Sequence, residues 1–180
     1  LIGYEIIKNN NCTHFLSMDC DEMYNKKEFA KALKRIEKMD YDSTCVRIQD
    51  YHKSPFYQVQ KLANYYVPFV HKITCKPSLT RNFYCYVDPT RIVEGYIKTR
   101  ILDDIVMNHM TTIRLDLYKK YKNSSALINF HNKIEEMVNN INNYNPESIN
   151  NDVKVNILQY DQFNIYQSIG YYKAFYGIKE

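Results

Sequence analysis

The alternation of short apolar runs with amphipathic segments limits the possible folds of this chain more than any other feature. Residues 13–18 are apolar enough for a short buried strand, and the segment behind them repeats apolar side chains at helical spacing, namely Phe29, Leu33 and Ile36. Asn25 and Glu28 are placed to form a capping box at the start of that helix. Residues 45–51 then alternate as in a half-buried strand. Strands interleaved with helices predict an α/β fold.

The rest of the chain continues this pattern. Further strand-like runs lie at residues 65–73, 82–87, 105–109 and 153–158. Pro68 interrupts the first of them, which predicts an edge strand or a bent one. Residues 2–8 are amphipathic, with candidate core positions at Ile2, Tyr4, Ile6 and Ile7.

Two more helices and a loop are expected in the second half. One helix is expected to end at Tyr121 and to be capped by Thr111 or Thr112. The next is expected to begin at Ser124 or Ser125, with the apolar stripe Leu127, Phe130, Ile134, Met137 or Val138, and Ile141. The Asn-rich residues 139–151 are expected to form a loop.

Composition excludes several classes of protein. The five cysteines are odd in number and include no CxxC pair, which argues against a disulfide framework and favours a reducing cytoplasm. The net charge of +4 is dispersed, so no nucleic-acid partner is expected. No apolar run approaches the roughly 20 residues that a transmembrane helix needs. The chain also contains neither GxGxxG nor GxxxxGK[ST].

The stretch "THFLSMDCDEMY" ends an apolar run with three acids, Asp19, Asp21 and Glu22. Crowded carboxylates repel one another, so something positive must compensate them. If the strand extends through Cys20, Asp19 and Asp21 point to the same side. Oxygen ligands favour Mg²⁺ or Mn²⁺, which keeps open positions for phosphate oxygens. The acids therefore suggest a metal-dependent phosphate or diphosphate site, with a helix cap or a solvated turn as the alternative.

A second group of candidates lies in "VMNHMTTIRLDLYKKYKNSS". His109 stands at a predicted strand end, and imidazole is a suitable further ligand for Mn²⁺. Arg114, Lys119 and Lys120 carry charges that would neutralise phosphate. The alternative for His109 is an ordinary hydrogen-bonded histidine.

Residues 49–69 mix tyrosines with Asp50, His52 and Lys53, which could stack on and hydrogen-bond a sugar. A Tyr-rich edge of the core is the alternative for that stretch.

Two segments together resemble a known family. "HFLSMDCDEMY" resembles the DxD segment of GT-A-fold glycosyltransferases, and "MNHMTTIRLDLYKKYKNSS" is similar to the downstream His-x-x-x-x-Arg segment of bacterial members related to the family 2 enzymes. The resemblance covers roughly residues 2–125 and, less closely, the later stretch "VKVNILQYDQFNI". It implies a GT-A-like mixed sheet flanked by helices in a single domain, 1–180, with residues 126–180 as a helical and strand extension.

The resemblance implies a glycosyltransferase that moves a sugar from a nucleotide-sugar donor to a glycan or lipid-linked acceptor in surface polysaccharide or lipooligosaccharide synthesis. Asp21 and His109 would bind Mn²⁺ or Mg²⁺. Asp19 would reach the metal through water or contact the donor, which Arg114 would also bind. Such an enzyme is expected in the cytoplasm, with peripheral association at the inner face of the membrane left open.

An inverting enzyme needs a carboxylate base, for which the candidates are Asp104, Asp103 and Glu94. The family's nucleotide-binding half precedes the DxD segment, and "LIGYEIIKNN" resembles the end of a helix already under way. We therefore expect sequence missing upstream and poor donor binding by this piece alone.

Two other functions compete with the transferase. A haloacid-dehalogenase-type phosphatase also places DxD after a strand, with Asp19 as nucleophile, but Met23 stands where that family has Thr or Val. A non-catalytic interaction module would present the Tyr-rich surface on a truncated transferase fold.

Overall fold

The computed structural model describes residues 2–51, 55, 57–59, 62–77, 87–88, 91–94, 98–124, 133–143 and 153–155. The helices are α1 (Ile2–Asn9), α2 (Lys26–Met39), α3 (Leu117–Lys122) and α4 (Ile134–Asn143). The strands are β1 (His14–Leu16), β2 (Glu22–Met23), β3 (Ser43–Asp50), β4 (Tyr57–Val59), β5 (Tyr66–Lys72), β6 (Lys76–Pro77), β7 (Val93–Glu94), β8 (Thr99–His109) and β9 (Val153–Val155). The predicted α/β class is confirmed.

Five strands form the main sheet in the order β1-β5-β3-β8-β2. β3 and β8 are parallel, and the other neighbouring pairs are antiparallel. Because β1 and β3 both run opposite to β5, they run in the same direction as each other. The carboxyl ends of β1, β3 and β8 therefore reach the same edge of the sheet. That edge receives the DxD segment and His109.

The central strand β3 has buried residues on both faces. On one face Val46 and Ile48 pack with Ile36 of α2. On the other face Cys45 packs with Val87 and Ile92. The prediction of a half-buried strand at 45–51 holds in part: Arg47 is exposed as the alternation predicted, whereas Gln49 is buried.

Pro68 belongs to an interior strand, since β5 pairs with β1 at residues 70–72 and with β3 on its other side. It stands opposite Cys45, where the register between β3 and β5 shifts. A proline donates no backbone hydrogen bond, and a register irregularity is one of the places where a sheet tolerates that loss. Of the two predicted outcomes, the edge position is therefore excluded.

The cap and the core face of α2 were largely predictable. The Asn25 side chain accepts from the backbone N–H groups of Lys27 and Glu28, as predicted. Ile36 is buried, whereas Leu33 is exposed, so its core assignment was wrong. The Glu28 carboxylate bonds the backbone of Val106 and so links α2 to β8.

Other predictions need correction. Ile2 and Ile6 on α1 are exposed, at 82% and 57%, although the pattern predicted them in the core. α3 begins at Leu117 and is capped by Asp116, later than the predicted threonine caps. Residues 139–143 continue α4 and do not form the predicted loop, while buried Ile134 and Ile141 agree with the predicted stripe.

Several predicted features, including most of the strand at 82–87, Leu127 and Phe130, lie outside the described residues. Among the helices that the structure describes, none has the length and apolar character to cross a membrane.

A buried histidine gives this fold a pH dependence. His71 on β5 is 1% exposed and shares a 2.8 Å hydrogen bond between its Nδ1 and Ser43 Oγ. Burial lowers its pKa from 6.5 to about 4. Between these values the unfolded chain binds more protons than the folded chain, so acid favours unfolding. We expect the free energy of unfolding to fall by about 2 kcal/mol between pH 7 and pH 5, measured by urea denaturation.

His71→Asn should remove most of that loss, whereas His14→Gln, at a less buried ring, should retain most of it. The same loss in His71→Asn as in the wild type, or an NMR titration of the His71 ring near 6.5, would contradict the prediction.

Candidate functional site

The acidic segment and the basic segment meet at the carboxylate of Asp21. Its Oδ2 accepts a hydrogen bond from Arg114 Nη2 at 2.5 Å and another from Lys120 Nζ at 3.1 Å. The Asp21 side chain is only 3% exposed. The backbone N–H of Met110 donates to the Asp21 carbonyl at 2.8 Å, which ties the end of β8 to the DxD segment.

A cavity of about 380 Å³ opens beside this cluster. The volume lies within the range of small-ligand sites. Its charged lining contains as many carboxylates as cations: Asp19, Asp21 and Asp116 against Arg114, Lys119 and Lys120. Cys20 and Asn123 complete the lining. The cavity is therefore lined mainly by polar residues and is close to neutral in charge.

The positive partner of Asp21 comes from the protein itself. Burial raises the pKa of this carboxyl, because a charged carboxylate loses hydration. The charges of Lys120, His109 and Arg114, with the hydrogen bond from Lys120, outweigh burial and hold the pKa of Asp21 below its usual value. Asp21 is therefore ionised at neutral pH.

Glu22, the third acid of the segment, forms a buried ion pair with Arg91. Arg91 donates from Nη1 to Glu22 Oε2 at 2.6 Å and from Nη2 to Oε1 at 2.5 Å. The guanidinium also contacts the Asp19 carboxylate at 2.8 Å and the Ser17 carbonyl at 3.4 Å. The Asp19 backbone N–H donates to Glu22 Oε2 at 3.1 Å. One arginine therefore holds the whole turn between β1 and β2.

Both members of this pair are shifted by their surroundings. Burial raises the pKa of Glu22 above its usual value, although the bonds from Arg91 oppose this. For Arg91, burial lowers the pKa, but the contacts with Glu22, Asp19 and Asp88 outweigh it and raise the pKa overall. Arg91 remains charged, so loss of the Glu22 charge would leave a buried cation with weaker compensation.

Asp19 and Asp21 occupy different environments. β1 ends at Leu16, so the strand does not continue through Cys20 and the two acids do not alternate along it. Asp21 is buried, while the Asp19 side chain is 70% exposed and lies against Arg91. The expectation that strand alternation sets both carboxylates to one side was wrong, although both line the cavity.

His109 lies at the same edge of the sheet and has a carboxylate partner. The parallel pairing of β3 and β8 sets Asp50 opposite His109, and the antiparallel pairing of β2 sets Glu22 opposite it on the other side. His109 Nδ1 lies 3.0 Å from Asp50 Oδ1. A carboxylate on one ring nitrogen orients the imidazole and leaves Nε2 for a ligand or a proton.

The three candidate bases are placed away from this cluster or lack a described side chain. Asp104 is bonded to Arg35 of α2 at 2.8 Å and lies 3.6 Å from Lys31. It belongs to β8, five residues before His109, or about 16 Å along an extended strand. Asp103 is exposed on the same strand. The side chain of Glu94 lies outside the described part of the structure. The role of base stays a prediction for all three.

The predicted metal ligands come together only in part. His109 is oriented by Asp50 as metal-bound histidines commonly are. Asp21, however, is occupied by two cations. Within the described ranges, no three His, Cys, Asp or Glu side chains are grouped closely enough to hold a metal ion. In this arrangement His109 could act as a metal ligand. Asp21 could do so only if Arg114 and Lys120 moved away from its carboxylate.

Sequence reasoning missed Arg91 and the pairing of Asp50 with His109. Nothing in "DPTRIVEGY" distinguishes Arg91 from a surface arginine. The indirect signal was Glu22, because a carboxylate next to an apolar run needs a cationic partner. Asp50 was considered for acceptor binding, but its place opposite His109 follows from strand pairing.

Comparison of the chain with protein-family models, with curated proteins and with solved structures finds no match.

The Glu22–Arg91 pair yields a stability prediction. Glu22→Gln removes the charge that compensates a buried guanidinium, and breaking a buried pair typically costs about 3–5 kcal/mol. We expect the free energy of unfolding, measured in urea, to fall by that amount. Glu37→Gln makes the same chemical change at an exposed position of α2 and should stay within about 0.5 kcal/mol of the wild type.

Adding Arg91→Met to Glu22→Gln should recover part of the lost stability, since the buried cation whose compensation was weakened is then gone. A loss below about 1 kcal/mol in Glu22→Gln would show that the pair does not hold the turn.

Proposed function

We propose that this protein is a metal-dependent glycosyltransferase that transfers a sugar from a nucleotide-sugar donor to a glycan acceptor. The observation that carries the proposal is the convergence of the two family-like segments on one cavity. Asp21 from the DxD segment and Arg114 and Lys120 from the His-x-x-x-x-Arg segment are in direct contact, although more than 90 positions separate them in the chain. A shared donor site would require this contact between the two segments.

The position of the cavity supports the same proposal. Ligands of open α/β sheets bind beyond the carboxyl ends of the strands. β1, β3 and β8 end at the edge that carries the DxD segment, Asp50 and His109.

The charges of the lining favour a particular kind of ligand. A donor diphosphate alone would add negative charge to a balanced cavity, and a divalent cation alone would add positive charge. A diphosphate that enters with a divalent cation is close to neutral and fits the balance of three carboxylates and three cations. This argument favours a metal–diphosphate ligand over either component alone.

The residues of the chain have distinct roles in this proposal. Arg114 and Lys120 bind the diphosphate and stabilise the negative charge that grows on it as the sugar leaves. Asp21 and His109 would hold Mn²⁺ or Mg²⁺, which when bound supplies Lewis-acid stabilisation to the same leaving group. Asp50 orients His109, and the Glu22–Arg91 pair fixes the turn that carries Asp19 and Asp21.

Donor hydrolysis tests the proposal. With Mn²⁺ present, a panel of UDP- and GDP-sugars should include one donor that the protein hydrolyses. Asp21→Asn and His109→Ala should each lower that rate by about 100-fold, the usual cost of removing one stabilising group from a leaving-group site. Glu37→Gln, on exposed α2, is the control and should keep the wild-type rate.

Circular dichroism of each variant would confirm that the fold is retained. Wild-type hydrolysis rates in both Asp21→Asn and His109→Ala would refute the assigned site. Undiminished activity after chelation with EDTA would refute the metal.

A further inference from the structure

We propose that the outer face of α2 is a docking surface for an anionic lipid bilayer, which it contacts through a row of lysines. The members of the row are Lys27, Lys31, Lys34 and Lys38. Residues three and four apart are neighbours on a helix surface, so this spacing places all of them on one face. The inference does not depend on the proposed function, because bilayer binding is measured without a donor or an acceptor.

The structure leaves this face open to solvent. Every lysine of the row is exposed, and the Lys31 side chain reaches 72%. Ala32 and Ile36 of the same helix are buried in the core. From its first lysine to its last, the row extends about 16 Å along the helix axis. The charged row therefore lies opposite the face that α2 packs against the sheet.

Two acids near the row are engaged by other groups. The Glu28 carboxylate bonds the backbone of Val106, on the sheet side of the helix. Asp104 lies 3.6 Å from Lys31 Nζ but is bonded more closely by Arg35, at 2.8 Å. These carboxylates therefore neutralise only one end of the positive row, and only in part.

The other lysines of the row, Lys27, Lys34 and Lys38, form no ion pair with an acid among the residues that the structure describes. Glu37 borders the row, three residues after Lys34, and is exposed. Like charges three and four residues apart repel one another and weaken a helix. A negatively charged surface would relieve this repulsion, which makes such a surface the complementary partner.

The composition of α2 favours a bilayer over a nucleic acid. An ammonium group on a flexible stem suits the diffuse negative potential of an anionic lipid surface. Nucleic-acid sites rely on arginines that bind phosphates in a bidentate manner and on aromatic rings that stack on bases. The one arginine of α2, Arg35, is bonded to Asp104, and its one aromatic residue, Phe29, packs against the core.

The row starts next to the candidate site. α2 begins at Lys26, shortly after β2, and β2 pairs with the end of β8 at His109. α2 then leads to the start of β3 at the opposite end of the sheet. A bilayer along the row would therefore lie beside the edge of the sheet that carries the cavity.

Vesicle binding tests the proposal. The protein should cosediment with vesicles of phosphatidylcholine that contain about 30% phosphatidylserine, and not with vesicles of phosphatidylcholine alone. One lysine near an anionic bilayer contributes about fivefold in affinity, so Lys27→Gln/Lys34→Gln should weaken binding about 30-fold. Glu37→Gln removes an acid beside the row and should tighten binding about fivefold.

Two further double variants serve as controls. Lys8→Gln/Lys133→Gln removes the same charge from exposed lysines outside α2 and should weaken binding by less than about threefold, since salt screens distant charges. Lys27→Arg/Lys34→Arg keeps the charges of the row and should bind as the wild type does. Circular dichroism should show the wild-type fold in every variant, because all of these positions are exposed.

Three results would overturn the proposal. The first is no binding of the wild type to the phosphatidylserine vesicles. The second is an equal loss of binding in Lys8→Gln/Lys133→Gln and in Lys27→Gln/Lys34→Gln. The third is tighter binding to a duplex oligonucleotide than to vesicles at equal phosphate concentration, which would identify the row as a nucleic-acid surface. None of these results concerns donor hydrolysis, so the glycosyltransferase proposal stands or falls separately.

Discussion

The buried ion pair between Glu22 and Arg91 is the contact on which the site depends. Burying two opposite charges is favourable only when their geometry is good and their remaining positions are bonded. Here the contact is bidentate, and the same guanidinium reaches the Asp19 carboxylate and the Ser17 carbonyl. Arg91 therefore holds the turn between β1 and β2 in one shape, and that shape places Asp21 beside the cavity.

A second ionic contact, at Asp21, differs from the first in burial. Glu22 and Arg91 are both buried, so their pair is shielded from competing ligands. The partners of Asp21 are partly exposed at the border of the cavity, so these contacts are less shielded from solvent. The ion pairs of the adjacent acids Asp21 and Glu22 therefore differ in the burial of their cations.

Local chemistry explains which parts of the fold were predictable. The Asn25 cap, the buried Ile36 and the α/β alternation depend on neighbours within a few residues, and the structure confirms them. Leu33 and Ile2 had the right periodicity but are exposed, because periodicity identifies an apolar face without showing that anything covers it. Pro68 predicted an edge strand or a bent one. β5 is instead an interior strand, and Pro68 stands opposite Cys45, where the register between β3 and β5 shifts.

By itself, the sequence determined the fold class, the cluster of acids behind an apolar run, and the need of those acids for positive partners. Only the tertiary structure decided which partners they have: Arg91 for Glu22, and Arg114 with Lys120 for Asp21. It also paired Asp50 with His109 and set Asp104 against Arg35. The physical reason is that charge pairing depends on distance in space, and strand order brings together residues that no spacing along the chain relates.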